Sequence, residues 1–256
     1  MGRAPLLADV VRCEWTKLWS VRSTAWALLG TAAALVGLAA VFPATGPAAP
    51  PDAAAYGLSG FFQAQLGAAV LGVLAIGSEY ATGSIRATLV ATPQRVTVLT
   101  AKTIVVAVTG AVVGLAAAFA AFVVASQVFA GRGVHVALGD PGALRSVLGA
   151  GLYVALIAVL ALALGALVRS SVGTIAIVVA LMLVLPGIAT ALPDSWQGAV
   201  VPYLPAETGQ ALIGRTRFAP AGAHLLAPWT GFAILCGYTL AALAAAAISF
   251  AVRDSR

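Results

Sequence analysis

Thr103 to Ala130 reads TIVVAVTGAVVGLAAAFAAFVVASQVFA, without one Asp, Glu, Lys or Arg. About 20 apolar residues suffice for a helix to cross the hydrocarbon core. Backbone amides in lipid must be satisfied inside the segment or in a closed barrel, and a barrel strand alternates polar and apolar residues. No alternation is present, so the stretch reads as a membrane helix. Five other runs read the same way. The six expected crossings are roughly Thr24–Phe42, Gly57–Ile76, Thr103–Ala130, Ser146–Val168, Val172–Leu192 and Trp229–Val252, none with an Asp, Glu or Lys inside.

Composition gives the same answer. Of 256 residues, 61% are hydrophobic and 9% charged, against about 25% charged in an ordinary soluble domain. The expected fold is all-α: a polytopic membrane protein forming one domain over 1–256, with no room for a second soluble one. The net charge of +6 does not mark a nucleic-acid binder, because the basic residues are scattered and form no stripe. Cys13 and Cys236 are expected to lie apart, which implies no disulfide framework.

Lys and Arg in the short loops set orientation. With the N-terminus in the cytoplasm, Arg3, Arg12, Lys17, Arg22, Arg86, Arg95, Lys102, Arg169, Arg253 and Arg256 fall inside, and Arg132, Arg145, Arg215 and Arg217 fall outside. Both termini are therefore expected in the cytoplasm, in the plasma membrane. Trp15, Trp19, Trp26 and Tyr80 then lie near inner ends, and Phe42, Phe61, Phe62, Trp196 and Trp229 near outer ends, as interfacial rings do. The basic segment before the first run is too long for a signal peptide, so that run is read as an uncleaved anchor.

Residues 1–23 are read as an interface helix. At 100° per residue, Leu7, Val10, Val11, Trp15, Leu18 and Val21 share one face, and Asp9, Arg12, Thr16 and Ser20 the other. That is the pattern of a helix lying in the membrane surface. Glu14 is out of place, because it points into the apolar sector. It is expected to pair with Lys17, to reach a partner on another element, or to snorkel to water.

Between the second and third runs lies GSEYATGSIRATLVATPQRVTVLTAK, Gly77 to Lys102. A carboxylate at mid-membrane costs about 2.5–3.5 kcal/mol, so Glu79 is expected at the inner end of the second span. Gly77 and Gly83 bracket a possible bend. Ser84–Ala91 reads as a short helix carrying Ile85, Arg86, Leu89 and Val90. Thr92 suits an N-cap and Pro93 the first helical position, so a new helix is expected to begin at Pro93. One carboxylate with no His, Cys or second acid nearby is a poor basis for acid–base catalysis.

Taken in order, EWTKLWSVRST before the first run and GSEYATGSIRATLVATPQRVTVLTAK after the second resemble the membrane subunit of an ABC transporter, most nearly the actinobacterial type-2 export permeases. The matching positions are Glu14 and Lys17, then Glu79, Gly83, Ser84 and Arg86, then Pro93 and Lys102. YLPAETGQALIG, Tyr203 to Gly214, is similar to that family's extracellular segment before the last span. Trp19 stands where relatives often carry Arg. The resemblance implies six spans, an N-terminal interface helix and a coupling helix in the 77–102 loop, seated in a groove of a soluble ABC ATPase subunit. Glu79, Gly83, Ser84, Ile85, Arg86 and Leu89 would dock there, supported by Glu14 and Lys17. The implied partners are that ATPase, a second copy of the chain or a related permease, and membrane lipid. A phosphate-cradling loop needs G-x-x-x-x-G-K-[ST], and no Gly-Lys pair occurs. The chain is therefore expected to hold no cofactor and to be no enzyme, with ATP and Mg in the partner subunit.

Gly110, Gly114 and Ala118 stand four apart in the third run, which allows close helix approach, either within the chain or between two copies. The spans contain few polar residues and no acid or lysine, which disfavours an ion-coupled carrier and fits a lipophilic or amphipathic cargo. The outer segment 193–228 carries Asp194, Glu207, Arg215, Arg217 and His224. Zinc catalysis needs three protein ligands, and His135 lies in another loop, so a solvated, partly helical cap is expected. Pro186 and Gly187 are expected to kink the fifth span. Two other readings remain at this point: a membrane-embedded enzyme at the outer leaflet, using Glu207 or Asp194 with His224, and an assembly protein with no transport.

Overall fold

The structure, a computed structural model, describes residues 6–47, 50–84, 90, 94–214 and 226–252. It is an all-α polytopic membrane protein. Among the described residues, six helices are long and apolar enough to cross a membrane. They are α2 (Arg22–Thr45), α4 (Phe61–Thr82), α5 (Arg95–Ala130), α6 (Ala143–Val168), α7 (Ser171–Ala189) and α10 (Pro228–Val252). The shorter helices are α1 (Leu7–Ser20), α3 (Ala53–Gly57), α8 (Asp194–Val200) and α9 (Pro205–Ile213), with a 3-10 turn, Val201–Tyr203, before α9.

Each expected crossing overlaps one long helix, although the second starts at Phe61 rather than Gly57 and the fifth ends at Ala189 rather than Leu192. Two helices reach further than their apolar runs. α5 is 36 residues long, or about 54 Å at 1.5 Å per residue. That exceeds a hydrocarbon core of about 30 Å, so α5 overhangs. α1 covers the overhang: Val10 packs with Val98 and Ala101. α4 likewise runs unbroken through Gly77, where a bend was expected. The missing side chain serves packing instead, because a Cβ at Gly77 would stand 2.3 Å from Ser171 Oγ. The turn comes at Gly83, whose φ of 71° is the left-handed C-cap position that glycine adopts without strain. The connection between spans two and three thus shrinks to residues 83–94.

α6 forms the centre. Its membrane-length window is 78% buried, against 22% in α10. Small residues let its neighbours approach. A Cβ on Gly110 would lie 3.0 Å from Ala155 Cα, and one on Gly114 would lie 2.8 Å from Gly151 O. Ala118 is buried in the same core. The Gly110–Gly114–Ala118 stripe is therefore spent on packing inside the chain. The closest approach is at α4, where a Cβ on Gly72 would stand 2.0 Å from Ala158 O. Backbone cannot rotate away, so Gly72→Ala forces α4 and α6 apart. The expected cost is about 1–3 kcal/mol, read as a lower unfolding midpoint in detergent. Gly30→Ala on α2, with nothing within 4 Å, is the control and is expected to hold or raise that midpoint.

Proline is absorbed rather than breaking the fifth span. Ala180–Val184 forms a π turn just before Pro186, and such turns re-route the backbone bonds that a proline interrupts. The outer segment departs from its expectation. It is helical, but α9 is not a solvated cap: Ala206 to Ile213 are all buried. Gly209 makes this possible, since a Cβ there would stand 2.3 Å from the Tyr153 ring.

Arginines clasp exposed helix ends. Arg132, after α5, donates to Pro43 O and to Gly46 O at the C-terminus of α2. Arg95 donates to Phe250 O at 3.2 Å, and Arg169 to Ser249 O at 3.4 Å, at the C-terminus of α10. Cations favour this position because the last carbonyls of a helix are unpaired and carry negative partial charge. Residues counted for topology in the sequence thus also hold the bundle together.

Candidate functional site: a buried ion cluster beneath the interface helix

The site begins with α1. Val10, Glu14 and Leu18 lie four apart, and all three are buried. Leu7, Trp15 and Trp19 are exposed, so α1 turns one stripe to the bundle and leaves its tryptophans outward. Trp26 at the start of α2 is exposed as well. Glu14 sits in the middle of the packed stripe, 4% exposed. A carboxylate there requires an opposite charge.

Lys102 supplies it. Two turns into α5 and 3% exposed, its Nζ donates to Glu14 Oε2 at 2.5 Å, to Glu79 Oε1 at 2.9 Å and to Ala75 O at 3.1 Å. Lys17 closes the cluster, donating to Glu14 Oε1 at 2.8 Å and to Glu79 Oε1 at 3.0 Å. Two ammonium groups therefore face two carboxylates, drawn from α1, α4 and α5. Burial alone lowers the Lys17 pKa, but its hydrogen bonds to Glu14 and Glu79 outweigh that, and it stands above the ordinary ammonium value. A raised pKa stabilises the fold below the unfolded-chain value and ceases to do so as pH climbs through the folded one. The Lys17 contribution is therefore present at neutral pH and lost only in alkali.

Of the expected docking residues, Glu14, Lys17 and Glu79 are brought together. The carboxylates turn toward the lysines. Ser84 is exposed just beyond the Gly83 turn. Ile85, Arg86 and Leu89, together with Thr92 and Pro93, lie outside the described residues. Gln94 precedes α5, which begins at Arg95. Lys102 was read only as a boundary charge leading into the third span, yet it is the hub. Its signal was the unpaired Glu14, an acid in an apolar stripe that needs a cation from another element.

A cleft of about 460 Å³ opens beside the cluster. Glu14, Lys17, Glu79 and Lys102 stand on its wall with Leu18, Leu74, Val105 and Val106.

A second polar group lies toward the other end of the bundle. Tyr153 of α6 donates to Gln65 Oε1 of α4, and both residues are fully buried. Glu207 and Gln210 of α9 adjoin Tyr153 and are buried too. Ser146 Oγ donates to Ile213 O at 2.6 Å, fixing the end of α9 to α6. His224, Arg215 and Arg217 are outside the described residues, as is the Asp194 side chain. Among the described residues no group of three His, Cys, Asp or Glu could hold a metal ion. Cys13 and Cys236 are both free thiols.

No family model matches the chain, and no curated protein matches it.

Proposed function

We propose that the chain is the membrane-spanning subunit of an ATP-driven exporter of the ABC type-2 class. It works with a soluble ATPase and a second permease, either its own copy or a relative, and moves a lipophilic or amphipathic cargo across the plasma membrane. Both termini face the cytoplasm. The ion cluster is the observation that carries this reading. It binds α1 to the ends of α4 and α5, the two spans that flank residues 83–94. A force applied to that connection would reach three elements at once through charge-assisted bonds, which are among the stronger noncovalent links. The order of motifs from Glu14 to Lys102 and the lack of a phosphate-cradling loop support the same division of labour. Glu207, 1% exposed, offers a substrate no open face and lends no support to an outer-leaflet enzyme.

Gentle detergent extraction of the tagged chain from its native membrane tests the proposal. The expected result is co-purification of a soluble protein carrying G-x-x-x-x-G-K-[ST], with ATP hydrolysis in the purified complex. A chain that emerges alone, with no associated ATPase after crosslinking in the membrane before extraction, overturns it.

A further inference from the structure

Glu79 Oε2 is buried, and among the described residues it accepts no hydrogen bond. Neither lysine of the cluster reaches it: Lys17 meets Glu79 at Oε1, as does Lys102. An ammonium has three N–H groups, and Lys102 commits its three to Glu14, Glu79 Oε1 and Ala75 O. The Glu79 side chain is only 9% exposed, yet it stands on the wall of the 460 Å³ cleft. That volume falls within the range of about 300–1,000 Å³ typical of ligand sites.

We infer that the cleft receives the headgroup of a phospholipid bearing a primary ammonium, with the Glu79 carboxylate, turned so that Oε2 meets the cleft, as the acceptor. The lining has the matching division. Leu18, Leu74, Val105 and Val106 make an apolar wall, suited to the start of an acyl chain. Lys17, 37% exposed, places a cation beside the lipid phosphate. Charge balance selects the class further. Glu14 and Glu79 against Lys17 and Lys102 sum to zero, so a zwitterion adds no uncompensated charge in a low-dielectric setting, whereas an anionic lipid does. A quaternary ammonium has no N–H to donate and leaves Oε2 unsatisfied. The site needs no ATPase, so this inference stands apart from the transport reading.

Native mass spectrometry of the full chain in mild detergent tests it, with phosphatidylethanolamine, phosphatidylcholine and phosphatidylglycerol of identical acyl chains added in turn. Phosphatidylethanolamine is expected to bind roughly ten-fold more tightly than phosphatidylcholine, the margin of one charge-assisted hydrogen bond. Glu79→Gln is expected to erase that preference. Ser78→Phe fills the cleft without touching an ion pair, since Ser78 Oγ bonds only to Leu74 O. It is expected to abolish ethanolamine-lipid binding at an unchanged unfolding midpoint, and it decides the matter should Glu79→Gln fail to fold. Equal binding of the three lipids, a preference for phosphatidylglycerol, or an ethanolamine preference that survives Ser78→Phe overturns the assignment.

Discussion

Lys102→Met is expected to lower the stability of the folded chain by roughly 3–5 kcal/mol, the range seen when one partner is removed from a buried ion pair. The substitution nearly preserves volume, so little of the loss comes from packing. It comes from Glu14 and Glu79, which remain beneath α1 with only the half-exposed Lys17 between them. The readout is the midpoint of unfolding in detergent, followed by size-exclusion profile and tryptophan emission. Adding Glu14→Gln to Lys102→Met removes one stranded charge and is expected to restore part of the loss. Lys17→Met should cost less than Lys102→Met, because a more exposed ammonium contributes less against water. If Lys102→Met unfolds with the wild-type midpoint, the cluster does not hold α1 to the bundle.

If the chain is the proposed permease, Arg86→Glu is expected to abolish the ATPase activity it stimulates in its partner, while the chain still inserts and folds. The reversed charge falls in the connection proposed to seat on the ATPase, where like charges facing across an interface cost several kcal/mol. The measurement compares ATP turnover of reconstituted complexes with and without the substitution, alongside the unfolding midpoint of the permease alone. Normal turnover and transport reject the docking role of 83–94. A lowered midpoint places Arg86 in the fold instead. Lys102→Met and Arg86→Glu thus separate holding the elements together from the proposed docking on an ATPase.

The spans were legible because lipid imposes a simple rule on the chain. A run such as Ser146–Val168 has no other stable home than a helix in hydrocarbon, and α6 occupies Ala143–Val168. Helix ends were less legible, since hydropathy reports where lipid ends and not where hydrogen bonding ends. Arg95 to Lys102 is too polar to count as a span but continues the α5 ladder, because α1 shields it. The burial of α9 was illegible for a related reason. PAETGQALI reads as a surface helix until Gly209 meets the Tyr153 ring, and that contact spans 56 residues of sequence. Glu14 sits between these cases. Its misplacement on the wheel was visible, but naming Lys102 as its partner required knowing that α5 starts early enough to bring Lys102 beneath α1.

The unbroken length of α5 has a mechanical consequence. Lys102 near one end and Arg132 just past the other are joined by a rod with no proline in it, about 45 Å apart along the axis. At the first end the rod grips the segment that leads directly into α2, with only Val21 between α1 and α2. At the second it grips the last carbonyls of α2 itself. One helix is thereby pinned fore and aft to its neighbour, as two rungs pin the rails of a ladder. Under the proposed reading, a torque delivered at the bottom rung would be shared by both rails and carried toward the far end of the bundle.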